Sequence, residues 1–157
     1  MNIAYKLDQV NLQNLFFLDS KKNIIMDGKF TKILYSDELL TTNGISVVIP
    51  FHNTTIDKTY NKTMLKFQTS DSINIRIANE LSRIEKYILE YYKQISNNTK
   101  SATTTLNDHI KNGNVKIYRD SIVSTNAKSV IIKISGIWED QTRVGLTYKF
   151  MEFVSVI

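Results

Sequence analysis

The chain has 157 residues, 42% hydrophobic and 10% aromatic, enough for one globular domain with a core of its own. Cysteine is absent, which excludes disulfides and thiolate metal sites and favours a reducing, intracellular setting. Twenty basic side chains against fifteen acidic ones give a net charge of +5, a balance that favours polyanionic partners.

Residues 96–157 hold most of that excess, eight basic against five acidic. Coding bias contributes to it, because the chain is crowded with the Ile, Asn and Lys that AT-rich genomes favour. The opening stretch MNIAYKLDQVNLQNLFFLD has no apolar run of signal-peptide length, and no segment is long enough to span a bilayer. The sequons at Asn53, Asn61 and Asn97 then read as chance matches. The expectation is a single domain over residues 1–157.

In chain order, Leu12 to Leu18 is an apolar strand or short helical turn. Asp27-Gly28 signals a tight turn. KFTKILYS follows as a strand, with Phe30, Lys32 and Leu34 on one side and Thr31, Ile33 and Tyr35 on the other. Asn43-Gly44 is a second turn, before the β-branched ISVVIPF and its proline, Pro50. A polar stretch from His52 to Asn61 separates this from the strand TMLKFQT. Ser70-Asp71-Ser72 offers N-caps, and Ile77, Leu81, Ile84, Ile88, Tyr91 or Tyr92, and Ile95 recur at helical steps. The spacing predicts one long amphipathic helix over 72–95. Residues 96–114 read as a mobile polar loop with a turn of helix around Leu106 to Ile110. VKIYR (115–119) is a short strand. The two longest strands, 128–138 and 145–156, flank the turn EDQTRV.

The fold class expected is α+β, mainly β. Three strands, a helix and two strands is the element order of an OB-fold, so an OB-fold-like antiparallel barrel is the architecture expected.

Catalytic patterns are missing, and the expectation is a protein that is not an enzyme. His52 and His109 lie isolated in loops, so no metal and no cofactor is expected. The glycines sit singly in turns or strands and make no phosphate-cradling loop. The adjacent carboxylates Asp37-Glu38 and Glu139-Asp140 flank turns, where solvation explains them.

Single-strand binding needs only cations and aromatic faces, and this chain places them near one another. Strand alternation sorts them. Tyr60 and Lys62 share a side, as do Lys116 and Tyr118, opposite Val115, Ile117 and Arg119. Leu146, Tyr148 and Phe150 make a core side, with Thr147, Lys149 and Met151 opposite. Val130, Ile132, Ile134 and Trp138 share parity, so alternation sends Trp138 to the core and sets it apart from Lys133. The phosphate candidates are Lys62, Lys66, Lys116, Arg119, Lys133, Arg143 and Lys149. The stacking candidates are Tyr60, Tyr118, Trp138 and Tyr148.

The segment KISGIWEDQTRVGLTYKF resembles the terminal hairpin of small single-stranded-DNA-binding proteins of large double-stranded-DNA viruses. The shared pattern is an apolar strand ending in Gly136-Ile137-Trp138, a polar turn, then Gly145 to Phe150. In outline the chain is similar to phage proteins of that class. The resemblance covers about Val130 to Phe153. It implies an OB-like barrel, sequence-independent binding of single-stranded DNA (or RNA), and a role in viral DNA replication or recombination at replication sites in host cytoplasm or nucleus. Many such proteins end in an acidic tail, whereas this chain ends FMEFVSVI. An apolar terminal strand suits pairing in a homo-oligomer. The alternative expectation is a viral structural or assembly protein that oligomerises through strand edges without binding DNA. Clustering of the basic side chains on one face separates the first reading from the second, which predicts dispersal.

Overall fold

The helix expected over 72–95 organises the molecule. A computed structural model describes residues 3–25, 27–59, 61–118 and 129–153. In it α1 spans Ser72–Ile95, the range that the spacing predicts. Asp71 caps it, its carboxylate accepting the N–H groups of Ile73 (2.8 Å) and Asn74 (3.2 Å). One stripe of α1 is buried, through Ile77, Leu81, Ile84, Ile88, Leu89 and Tyr92. The buried Asn74 side chain donates to the carbonyls of His52 (2.7 Å) and Gln68 (2.8 Å), fastening the helix start to the chain before it.

The strands before α1 are β1 (Tyr5–Lys6), β2 (Leu15–Phe17), β3 (Lys21–Lys22), β4 (Lys29–Ser36), β5 (Thr41–Asn43), β6 (Ile45–Ile49), β7 (Thr54–Thr59) and β8 (Lys62–Phe67). After it come β9 (Ser101–Thr103), α2 (Thr105–Lys111), β10 (Asn114–Tyr118), β11 (Ser129–Glu139) and β12 (Arg143–Phe153). The class is α+β and mainly β: a mostly antiparallel open sheet with two helices. The main path is β1-β6-β11-β12-β10-β8-β7; β4 pairs with β2, β3, β5 and β11, and β9 pairs with β12. Both helices pack on one side of the sheet, in a two-layer arrangement.

The core lies between those layers. Ile33, Tyr35, Ile45, Val47, Leu65, Ile117, Ile132, Ile134, Ile137, Leu146 and Phe150 meet the α1 stripe together with Leu106 and Ile110 of α2. Each such side chain contributes roughly 1.5–3 kcal/mol by leaving water. The alternation expected along β4 is present: Thr31, Ile33 and Tyr35 are buried.

Three expectations need correction. The polar stretch after Pro50 contains β7, whose six residues are all exposed and therefore carry no burial pattern. Residues 96–114 hold β9 as well as the expected helical turn, which is α2. The hairpin turn is tighter than EDQTRV, because Glu139, Arg143 and Val144 are in strands. Asp140 closes it by accepting the N–H groups of Thr142 (2.9 Å) and Arg143 (2.7 Å). Those bonds, Thr142 first, hold the Asp140 carboxyl below the ordinary carboxylate range.

Candidate nucleic-acid interface

A bulge decides what this site contains. β11 and β12 pair from Ser129↔Phe153 to Ile134↔Tyr148, then resume at Gly136↔Thr147. Ser135 is the extra residue. At the same point β11 changes its other neighbour, from β6 (Ile134↔Ile45) to β4 (Gly136↔Lys32). The extra residue inverts the alternation beyond it. Ile137 turns into the core, and Trp138 turns to the side without helices. Unbroken alternation puts Trp138 in the core; the bulge overturns that. It also brings Trp138 onto the same side as Lys133.

Directly paired residues share a side, so the registers define the helix-free face row by row. One row runs Lys6, Val48, Ile131, Met151, Tyr118 across five strands. The next holds Ser46, Lys133 and Lys149, and Lys116 continues it two residues before Tyr118. Lys116 then pairs with Met64, and Met64 with Asp57. A further row, at the hairpin end, runs Lys21, Phe30, Trp138, Gly145. Lys62 and Lys66 share the side of Met64 by strand alternation, and Arg143 that of Gly145. Of the candidates, Lys62, Lys66, Lys116, Tyr118, Lys133, Trp138, Arg143 and Lys149 are thus gathered on one face. Lys6, Lys21 and Lys32 join them. Lys32 was legible from strand alternation, whereas Lys6 and Lys21 lie in two-residue strands with no pattern to read. Tyr60 and Arg119 lie outside the described residues.

The face is apolar between its cations. Ile131 is only 5% exposed yet belongs to this side, flanked by half-buried Val48 and Met151, with Met64 half-buried farther along on β8. Tyr118 is exposed, and the Lys116 ammonium sits 4.8 Å from its ring centroid. Trp138 lies against Gly145, where a Cβ would come within 2.4 Å of the indole Cζ2. The Arg143 guanidinium stands 5.6 Å from the indole centroid. Asp140 holds that guanidinium through Nε (3.1 Å) and Nη2 (2.8 Å). Among the described strand residues on this side the acid is Asp57, paired with Lys66 at 3.4 Å; Glu139 and Glu152 take the opposite side of β11 and β12. Among the described residues, Lys116, Lys133 and Lys149 form no ion pair.

Tyr148 stands apart. Its half-buried ring packs against the core, and its hydroxyl shares a hydrogen bond with His109 Nδ1 at 2.7 Å. Burial, then the carboxylates of Glu85 and Asp108, push its ionisation well above the ordinary tyrosine range. Glu85 is itself fully buried on α1 and accepts the N–H groups of Leu106 and Asn107, both at 3.0 Å. Its burial raises its pKa, against those hydrogen bonds. This group joins α1, α2 and β12 on the helix side, away from the cation rows.

Among the described residues no three His, Cys, Asp or Glu side chains gather as a metal site, and no helix is long and apolar enough to cross a membrane. No family model matches the chain, and neither the curated proteins nor the solved structures contain a significant match.

Proposed function

We propose that the chain binds single-stranded DNA, without catalysis and independently of sequence, along the helix-free face of its sheet. The observation that carries the reading is the cation row Lys133, Lys149, Lys116, without an ion pair among the described residues and set between Tyr118 on one side and Trp138 on the other. Like charges directly opposite on a sheet oppose folding. A polyanion supplies the compensating charge. Phosphates on the lysines and bases over Tyr118, Trp138 and the apolar Ile131–Met151 strip fit the two halves of a nucleotide. Lys62, Lys66 and Arg143 extend the phosphate track. Tyr148 is left out of the contact set, because it faces the helices.

The face supplies this reading whether or not the sheet curls into an OB-like barrel. An assembly protein without DNA affinity would scatter its cations; their gathering favours the DNA reading. The resemblance of the terminal hairpin to viral single-stranded-DNA-binding proteins extends the proposal to viral DNA replication or recombination. The test is a titration with oligo-dT at low and high salt, followed by Trp138 emission and by anisotropy of labelled DNA. Binding that weakens steeply with salt is expected. Absence of binding at low salt sinks the proposal.

A further inference from the structure

Beyond Trp138 the face ends in an apolar tip. β3 pairs with β4 through Lys21↔Phe30 and Lys22↔Lys29, and the loop between them carries Ile24 and Ile25. These side chains are 100% and 96% exposed. The loop is nonetheless shaped. The Asn23 N–H donates to the Gly28 carbonyl (2.9 Å), and the Asn23 side chain accepts the Ile25 N–H (3.0 Å). Its base is seated on the hairpin: a Cβ on Gly28 would lie 1.9 Å from the Glu139 carbonyl oxygen. Two adjacent isoleucines are therefore held out from the sheet end that carries Phe30 and Trp138. They contribute nothing to the core, and two isoleucines pointing into water call for a partner.

Resting on the single-strand reading, we infer that this tip is a wedge for the junction where single-stranded DNA becomes duplex. The single strand lies on the cation rows, and Ile24 and Ile25 stack on the terminal base pair or enter the step beside it. Aliphatic wedges act in this way when flanking cations hold the neighbouring phosphates. Lys21, Lys22 and Lys29 stand at the base of the loop, in strands that lead to it. Row continuity from Trp138 through Phe30 to Lys21 places the tip on the path a strand takes off the face. Continuity with the cation rows favours the nucleic acid over an anionic bilayer, since Asp19 and Asp27 beside the loop repel lipid headgroups and DNA phosphates alike.

The test compares wild type with an Ile24→Ser/Ile25→Ser double variant, changed only at exposed positions so that folding is preserved. The probes are oligo-dT and a duplex with a dT tail of the same length, carrying 2-aminopurine at the junction. Wild type is expected to bind the tailed duplex roughly tenfold more tightly than the tail alone and to raise 2-aminopurine emission. The variant should keep oligo-dT affinity and lose both the gain and the emission change. Equal behaviour of the two proteins overturns the inference, as does a loss of oligo-dT affinity in the variant. Isoleucine-dependent sedimentation with anionic phosphatidylserine vesicles, without a junction preference, overturns it in favour of a membrane. Failure of wild type to bind oligo-dT at all is the separate result that removes the single-strand reading itself.

Discussion

Lys133 of β11 lies directly opposite Lys149 of β12, on the side of the sheet that carries no helix. Neither has an ion-pair partner among the described residues. Lys149→Glu turns this repulsive pair into an attractive one. The melting temperature should hold or rise, by the equivalent of roughly 0.2–1 kcal/mol. Affinity for oligo-dT should fall, and the slope of log affinity against log salt should become shallower by about 1 or more. Calorimetry and a salt series of anisotropy titrations read the two effects separately. A stability loss with unchanged affinity would show that the row serves the fold.

Trp138 and Tyr148 should separate in mutation. Trp138→Leu removes a half-buried ring outside the core, so the expected loss is in affinity, roughly 1–3 kcal/mol. Tyr148→Leu removes a ring packed on the core and its bond to His109, so the expected loss is in stability, about 1–3 kcal/mol. Urea unfolding and oligo-dT titration of both variants provide the comparison.

Gly145→Ala should disturb the indole without unfolding the chain. The added Cβ meets Trp138 Cζ2 at 2.4 Å, so the ring must move off β12 and away from Arg143. Trp138 is the sole tryptophan, so its emission reports this directly. A shifted emission maximum and roughly 1–3 kcal/mol of destabilisation are expected. An unchanged spectrum contradicts the packing described.

Glu85 gives a pH signature of defined sign. Its folded pKa is raised above the unfolded value, so the folded chain binds the proton more strongly. Its contribution therefore favours folding more as pH falls from neutral through the raised pKa towards the ordinary carboxylate value, and less as pH rises. The wild-type melting temperature minus that of Glu85→Gln should grow as pH drops through that window. At neutral pH the Gln variant still leaves one of the Leu106 and Asn107 N–H groups without its acceptor, a cost of about 1–3 kcal/mol. A difference between the two proteins that does not vary with pH refutes this account.

A second buried carboxylate, Glu139, clasps the segment after α1. It accepts from the Asn98 side chain, and Lys100 Nζ lies 3.6 Å away while donating to the Asp140 carbonyl at 2.7 Å. β9 then pairs with β12 from Arg143↔Ser101 to Gly145↔Thr103. Lys100→Met should cost roughly 2–3 kcal/mol, tempered because Lys100 keeps some solvent contact. Hydrogen exchange of residues 98–103 should accelerate in the variant. Equal protection in both proteins would show that β9 holds without the clasp.

The sequence made some elements legible and hid others for physical reasons. The span of α1 was readable because Asp71 and a five-turn apolar stripe mark it, and β4 because one of its sides is buried. β7 was hidden because every side chain on it is exposed, and β1 because two residues carry no period. Alternation showed which cations share a side within one strand, but not that the strands bring those sides together, because the pairing registers join distant parts of the chain. The extension of the cation face to Trp138 was hidden too, since alternation fails across Ser135. Gly136, an isolated glycine within an apolar strand, was the available sign of a bulge. Glu85 gave no signal, because its partners are backbone N–H groups on another helix.

Ser135 has a consequence for how this hairpin can change over generations. Replacing a side chain on either arm alters one surface and leaves the other intact, so each surface can be tuned alone. Losing the extra residue is equally mild in phase. With position 135 deleted, Gly136 follows Ile134 directly and still meets Thr147, so Ile137 stays in the core and Trp138 stays outside. The event that exchanges inside and outside is a slip in which Ser135 itself pairs with Thr147, which would present Ile137 to solvent and drive the indole towards α1. The burial of Ile137 thus guards the register of the distal arm, whatever side chain fills position 135.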